Sequence, residues 1–360
     1  MSSLLEKVLP LGQGVPNIVA TIIIASIILL VGYRRGLPKP LPNIPYNKDV
    51  GYFGDLLEMG SHVVKTGQFW SWLSQQNFKH QSPLVQVFTN PLSNKPFLVL
   101  ADAREAQDVM LRRSEEFDRS SFSIDFIKGI VPKGMFTLKS GDVWRAHRAL
   151  TKDLMTPAFL RTISGPAIFI RGLDLIDLWR TKARLADGKP FAAEQDIHYT
   201  ALDAIFDAAF GTEDGVEILR ARNNHLMQAS KPTHDNPKDS FVTFSEPVLP
   251  KTVTAINTLD DSTEYALASL MPTVAWKIMA WLPWYSKAWN EKEAMLSRFI
   301  EKSRDRIERK TTVEQDHRCA LDHIVARELG LATKTRRQPD FASRDFRDEV
   351  GAPNARPIFG

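Results

Sequence analysis

Cysteine is almost missing from this chain: Cys319 is the only one in 360 residues. No intramolecular disulfide can form, and no cysteine cluster can hold zinc. The body therefore needs no oxidising compartment. An excess of charge of one sign is also lacking. The 46 Lys and Arg against 42 Asp and Glu leave a formal net charge of +4, too even a balance to indicate nucleic acid as a partner. There is no G-x-G-x-x-G, no P-loop, no G-x-S-x-G and no H-E-x-x-H, so the common nucleotide, hydrolase and metalloprotease signatures are excluded. The eight histidines, at 62, 80, 147, 198, 225, 234, 317 and 323, are scattered. His317 and His323 lie six apart, a poor spacing for one helical face, and no metal site is expected there. No internal repeat is visible. Local chemistry alone does not mark an enzyme.

What is present fits a large α-rich body. With 43% hydrophobic and 24% charged residues, the chain can bury a substantial core and does not read as disordered. The one long apolar run is "VPNIVATIIIASIILLVGY", residues 15–33, which is uncharged and long enough to cross a bilayer. Arg34 and Arg35 follow at once, with Lys39 close behind, whereas Lys7 on the other side is offset by Glu6. The positive-inside tendency then puts residues 1–14 in the lumen and the body in the cytoplasm, with the endoplasmic reticulum as the expected membrane. A signal peptide or a buried helix are the other readings. "VGYRRGLPKPLP" offers no small-residue cleavage site. Residues 34–46 form a basic, proline-rich hinge with four prolines between Pro38 and Pro45, which predicts a stiff extended spacer.

The body reads mainly as helix with one small β-hairpin. "LVQVFT", from Leu84, and "PFLVL", from Pro96, are short apolar runs separated by the turn formers "NPLSNK". Asp102 can cap a helix with Glu105 three residues on. Thr156–Pro157 is a cap-then-proline start, and a second start at Pro166 leads to Leu175, Leu178 and Trp179 on one face. Asp196 precedes Ile197, Ala201, Ala204, Ile205 and Ala208, with Gly211 as the expected stop. The stretch from Leu267 to Trp289 holds four of the eight tryptophans. It is either a core helix ending at Pro283 or a surface element dipping into lipid headgroups.

One stretch carries chemistry. In "GDVWRAHRAL", Gly141 to Leu150, Ser140 can cap the helix and Asp142 suits its positive end. Trp144 and Arg148 stand at i and i+4 and share a face, with His147 beside them. Both are donor-only groups and the arginine is permanently cationic, so a fixed carboxylate or phosphate is the natural partner. The other reading is a core tryptophan beside an arginine whose head reaches water.

The order of these features resembles a microsomal cytochrome P450 of the fungal secondary-metabolism type: anchor, proline-rich hinge, β-hairpin, capped helix, then W-x-x-x-R. "SEEFDRSSF" from Ser114 is similar to the segment before the loop between helices B and C, and "ALDAIFDAAFG" from Ala201 to helix E. "RCALDHIVARE" from Arg318 and "RDFRDE" from Arg344 resemble the approach to helix I and its first turn. The resemblance implies that Arg148 binds a haem propionate with Trp144 assisting. It implies that the loop "SSFSIDFIKGIVPKG", from Ser120 to Gly134, covers the pocket of an apolar small-molecule substrate. An NADPH-dependent reductase is the implied partner, and Arg145 and Lys152 either face it or form a solvated surface. The activity implied is monooxygenation, hydroxylation or epoxidation, in secondary metabolism.

The departures are as definite. The family's glycine-rich cysteine loop, the acid-alcohol segment of helix I and the E-x-x-R pair that follows helix I in the family are not in this sequence. Cys319, in "DHRCALDH", has no glycine around it and reads as a buried structural thiol. No catalytic residue and no metal ligand is assigned. Residues 47–349 are expected to form a cytochrome P450-like domain lacking its haem-ligand region, with residues 350–360 an unrelated tail that continues no helix. Apolar surface is expected to stay exposed where the lacking elements would pack. The alternatives are a non-catalytic, truncated, membrane-anchored remnant with no haem thiolate, and a tethered helical scaffold unrelated to haem proteins.

Overall fold

The structure is a computed structural model that describes residues 23–27, 30–34, 36–49, 51–89, 95–214, 216–228, 241–269, 271–309 and 317–351. The chain divides into two compact units, residues 1–118 and 119–360.

In the first unit, helices α1 (Leu56–Thr66) and α2 (Phe69–His80) precede the strands β1 (Leu84–Val87) and β2 (Phe97–Leu100) and the helix α3 (Ala103–Leu111). The strands are antiparallel, with Leu84 opposite Leu100 and Val87 opposite Phe97, as the two apolar runs predict. Trp72, Leu73 and Val87 form a small core, with Met59, Phe69 and Val99 against it. Asp102 caps α3 as expected, accepting from the backbone N–H groups of Arg104 and Glu105. The proline-rich hinge is fixed but not extended throughout as expected: it turns at residues 42–43, with Asn43 at φ +64°. Prolines have no N–H to pair, so the hinge is held through its carbonyls. The buried Gln86 of β1 donates to Leu41 O and Ile44 O, at 3.0 and 2.7 Å, and accepts from Leu41 N at 2.8 Å. Gly54, at φ +57°, sits where a Cβ would come within 2.2 Å of Phe88 O, so only glycine fits.

The apolar run 15–33 falls partly outside the described residues. Its described parts, 23–27 and 30–33, are helical, and Ile23, Ile24, Ile27, Leu30 and Val31 are exposed. Among the described residues no helix is long and apolar enough to cross a membrane.

The second unit is helical. Its elements are α4 (Ser121–Asp125), α5 (Asp142–Thr151), α6 (Gly165–Ala186), α7 (Glu194–Phe210), α8 (Ile218–Gln228), α9 (Lys251–Ala268), α10 (Pro272–Met279), α11 (Pro283–Arg309), α12 (Ala320–Lys334) and α13 (Arg344–Gly351). Its core joins Leu178 of α6, Phe206 and Phe210 of α7, Leu219 of α8, Leu296 of α11 and Val325 of α12. Phe210 stacks on Phe299 with ring centroids 4.5 Å apart.

Several boundaries differ from the sequence reading. Thr156 does cap the start at Pro157, and Pro166 stands at the start of α6 as expected, with no break before it. One π-turn, Leu160–Ser164, carries the chain straight into α6 and accommodates a proline that cannot donate to the preceding turn. In α7 the buried face is Tyr199, Leu202, Phe206 and Phe210, while Ile197 is 53% exposed. The larger aromatics win the core, and Asp196 is not a cap. It lies buried, held by Lys182 Nζ at 2.8 Å and Trp179 Nε1 at 3.0 Å. Asp203 instead starts α8, accepting from the N–H groups of Ile218 and Leu219. Burial raises the Asp203 carboxyl above its usual range against these two bonds. The tryptophan-rich stretch is two helices, not one: α10 ends at Met279 and Pro283 opens α11. Trp276 is buried, whereas Trp281 is 89% exposed. The final helix runs through Val350 and Gly351, past the expected start of an unrelated tail, because the Val350 side chain belongs to the main core. Residues 352–360 lie outside the described residues. An apolar face is exposed on α6, where Ile168, Phe169, Leu173 and Ile176 face outward.

Candidate functional site

The W-x-x-x-R helix is α5. Its cap position is Gly141, not Ser140, and makes no side-chain cap bond; Asp142 stands in the first turn as expected. Asp142 pairs with Arg145 on the exposed surface. Lys152 is also exposed, so both cations lie on a solvated face.

The i, i+4 spacing does bring Trp144 and Arg148 together. The Arg148 guanidinium carbon lies 5.4 Å from the Trp144 ring centroid. A second guanidinium, from Arg119, lies 5.3 Å from the same ring. Arg119 also donates to Leu138 O. The Trp144 indole N–H is buried and has no hydrogen-bond partner among the described residues. A buried donor left unpaired costs about 1–3 kcal/mol, and two cations beside it specify the sign of what would satisfy it. An anion that accepts hydrogen bonds fits this donor set, and a carboxylate suits the planar fork of an arginine.

His147 does not join them. It is buried and turns inward, its Nδ1 2.9 Å from Glu349 Oε2, and Met135 N donates to the same oxygen at 2.9 Å. Sequence reasoning missed Arg119 and Glu349. Arg119 lies far from Trp144 in the chain and Glu349 farther still, so no helical period links them to α5. Only the preceding "EFD" and the following "RDE" context hinted at them.

Cys319 is buried, and burial followed by the neighbouring Asp322 carboxylate pushes its thiol up to about 12. It is a neutral structural thiol, as the sequence predicted, and does not fit an axial iron ligand, which must be a thiolate. His317 and His323 come closer than their spacing suggested, with ring centroids 4.4 Å apart, because His317 precedes α12 instead of lying on it. Burial and His317 lower the His323 imidazole. Among the described residues no group of three or more His, Cys, Asp or Glu could hold a metal ion. A cleft of about 1110 Å³ in the first unit is lined by hinge residues such as Pro42, Tyr46 and Tyr52. Neither Trp144 nor Arg148 lines it.

A family model for cytochrome P450 matches residues 50–351. The cytochrome P450 monooxygenase GME11363 of Pestalotiopsis microspora is 33% identical over 339 residues, covering 93% of this chain and 58% of that protein. The cytochrome P450 monooxygenase TRI13 of Fusarium sporotrichioides is 30% identical over 332 residues, 88% of this chain and 55% of its own length. The cytochrome P450 monooxygenase xilC of Penicillium rubens is 31% identical over 337 residues, with 92% and 57% covered. The chain thus spans a little over half the length of the curated relatives it matches.

Proposed function

Because the chain belongs to the cytochrome P450 family, we propose that it serves a haem monooxygenase acting on an apolar small molecule in secondary metabolism, with Trp144 and Arg148 as propionate ligands. The observation that carries this reading is the buried, unpartnered Trp144 N–H flanked by the Arg148 and Arg119 guanidinium groups. Haem, when bound in this family, supplies oxygen activation through an iron whose thiolate ligand favours O–O cleavage.

The work of this chain's own residues is binding and orientation. The Trp144 N–H and the Arg148 fork would donate to one carboxylate, and Arg119 adds a second cation beside the same indole. Glu349 fixes α5 from behind through His147. Cys319 supplies no ligand.

An NADPH-dependent reductase is the partner proposed for electron supply, on the strength of the family alone. A membrane context is proposed from two features. One is the uncharged run 15–33 followed by Arg34 and Arg35. The other is the exposed set Ile278, Trp281 and Leu282, which joins apolar bulk to an indole N–H as interfacial surfaces do.

The deciding experiment compares the 360-residue chain with the protein translated from the native transcript. Haem retention and the ferrous–CO Soret band are recorded for each, with and without Arg148→Ala. The transcript product should show the thiolate-type red shift and NADPH-dependent substrate oxidation. Arg148→Ala should weaken haem binding about tenfold or more, as expected for a hydrogen bond to a charged group. A transcript product that takes up no haem would sink the monooxygenase reading and leave the remnant.

A further inference from the structure

The segment between Arg119 and Trp144 contains only the short helix α4 and a series of turns, yet Ile124 and Val131 within it are buried. Backbone bonds within the segment, such as Ile130 N to Ile127 O and Gly134 N to Val131 O, only close its own turns. Its carbonyls on one side accept from three side chains of the tryptophan-rich helices. Trp276 Nε1 donates to Asp125 O at 2.9 Å, Tyr285 Oη to Gly129 O at 2.8 Å, and Lys292 Nζ to Ile130 O at 3.0 Å. All three donors are buried. On the other side, Lys133 N and Met135 N donate to Asp348 and Glu349 of α13.

The fit on the α10–α11 side is close. A Cβ at Gly129 would lie 2.0 Å from the Trp276 ring, so the indole rests directly on the backbone. Tyr285 stacks on Trp289, and the Lys292 ammonium sits 3.8 Å from the Trp289 ring centroid.

We infer that Trp276, Tyr285 and Lys292 form a clasp that holds residues 125–130 shut against α10 and α11, and so positions the anion site at the base of this loop. The base is where the loop's two ends meet: Arg119 lies over the Trp144 ring and donates to Leu138 O. Opening the clasp frees the Arg119 side of the loop, while Lys133 and Met135 stay tied to α13. On the function proposed above this loop stands over the substrate, and the clasp would decide when a substrate enters. The clasp itself stands without that reading.

Lys292 makes closure pH-linked. Burial lowers its ammonium to about 8, against the pull of the Glu293 carboxylate; Arg344 opposes protonation and Asp348 favours it. Arg347 and Arg344 hold Glu293, and Lys133 pairs with Asp345 at the rim. The shut state binds the Lys292 proton less well than an open state in which water reaches the ammonium. Closure therefore tightens as pH rises from about 8 toward the ordinary lysine value, and is weakest, and independent of pH, below about 8, where both states hold the proton. The neutral amine still donates to Ile130 O. Tyr285, pushed up to about 12 by burial, keeps its proton throughout that range.

Hydrogen exchange of the 360-residue chain, read by mass spectrometry at pH 7, 8.5 and 10 and corrected for intrinsic rates, tests this. Tyr285→Phe removes one hydroxyl and should speed exchange of amides 126–144 about fivefold, the worth of one hydrogen bond, with α7 unchanged. In the native chain protection of the same amides should grow with pH, and Lys292→Met should abolish that growth. Exchange that rises equally in α7 and the loop would reduce the tyrosine to an ordinary core residue. A pH response that survives Lys292→Met would overturn the clasp's proton linkage, and an unchanged loop in Tyr285→Phe would overturn the clasp.

Discussion

Arg171 and Asp207 are each about 2% exposed and meet through two hydrogen bonds, Nε to Oδ2 at 2.7 Å and Nη2 to Oδ1 at 3.0 Å. Asp174 accepts from Nη1 of the same guanidinium at 3.0 Å. Removing one partner leaves a charge buried and unmatched, which costs about 3–5 kcal/mol, whereas replacing the pair together costs far less. Asp207→Ala should therefore lower the stability measured in urea by about that amount, and Arg171→Met with Asp207→Leu should recover most of it. Equal losses in both variants would show that shape, not charge, governs the site. At this scale the sequence is partly transparent. Trp144 and Arg148 could be paired on paper because one helical turn separates them. Arg119 and Glu349 could not, because the contacts that bring them to Trp144 and His147 are tertiary.

Elements were legible where local chemistry is strong. The hairpin, the Asp102 cap of α3 and the Thr156–Pro157 start all form where turn residues, carboxylate or proline predict them. The sequence reading erred where packing chooses among equal periodicities. In α7 the expected stripe of Ile197, Ala201, Ala204, Ile205 and Ala208 keeps only Ala204 buried and otherwise lost to the row of Tyr199, Phe206 and Phe210, since larger rings remove more surface from water. At the hinge, prolines stiffen the backbone, but only Gln86 fixes where the hinge lies. Its side chain satisfies three backbone groups of Leu41 and Ile44. Gln86→Ala leaves those groups unpaired. It should make residues 36–46 cleavable by a nonspecific protease at least about tenfold faster, with α7 still protected. An unchanged cleavage rate would mean that the hinge is held by other contacts.

For the molecule as a whole, the proposed membrane attachment separates what a run of residues can do from what a fold presents. The span 15–33 requires only length and apolarity; the exposed Trp281 requires that α10 and α11 turn it outward. The full chain should stay with membranes through an alkaline carbonate wash, and deletion of residues 15–33 should release it to a form that still binds anionic vesicles weakly. Complete release of the undeleted chain by carbonate would exclude the span. The α6 face bearing Ile168, Phe169 and Leu173 shows the same division, since the sequence marks these residues as apolar and only the fold leaves them uncovered.

By itself the sequence determined the helical class, the hairpin, the stiff hinge, the inert cysteine and the shared face of Trp144 and Arg148. Each depends on neighbours within a few residues, where backbone geometry fixes distance. The tertiary structure alone decided which stripe of α7 is buried, that His147 turns to Glu349 and away from Trp144, and that Arg119 joins Arg148 beside the Trp144 ring. It also decided that Trp276, Tyr285 and Lys292 grip a loop more than a hundred residues away in the chain. Those outcomes turn on which surfaces meet when the core closes. That choice is made by the summed burial of the whole unit, and no local pattern records it.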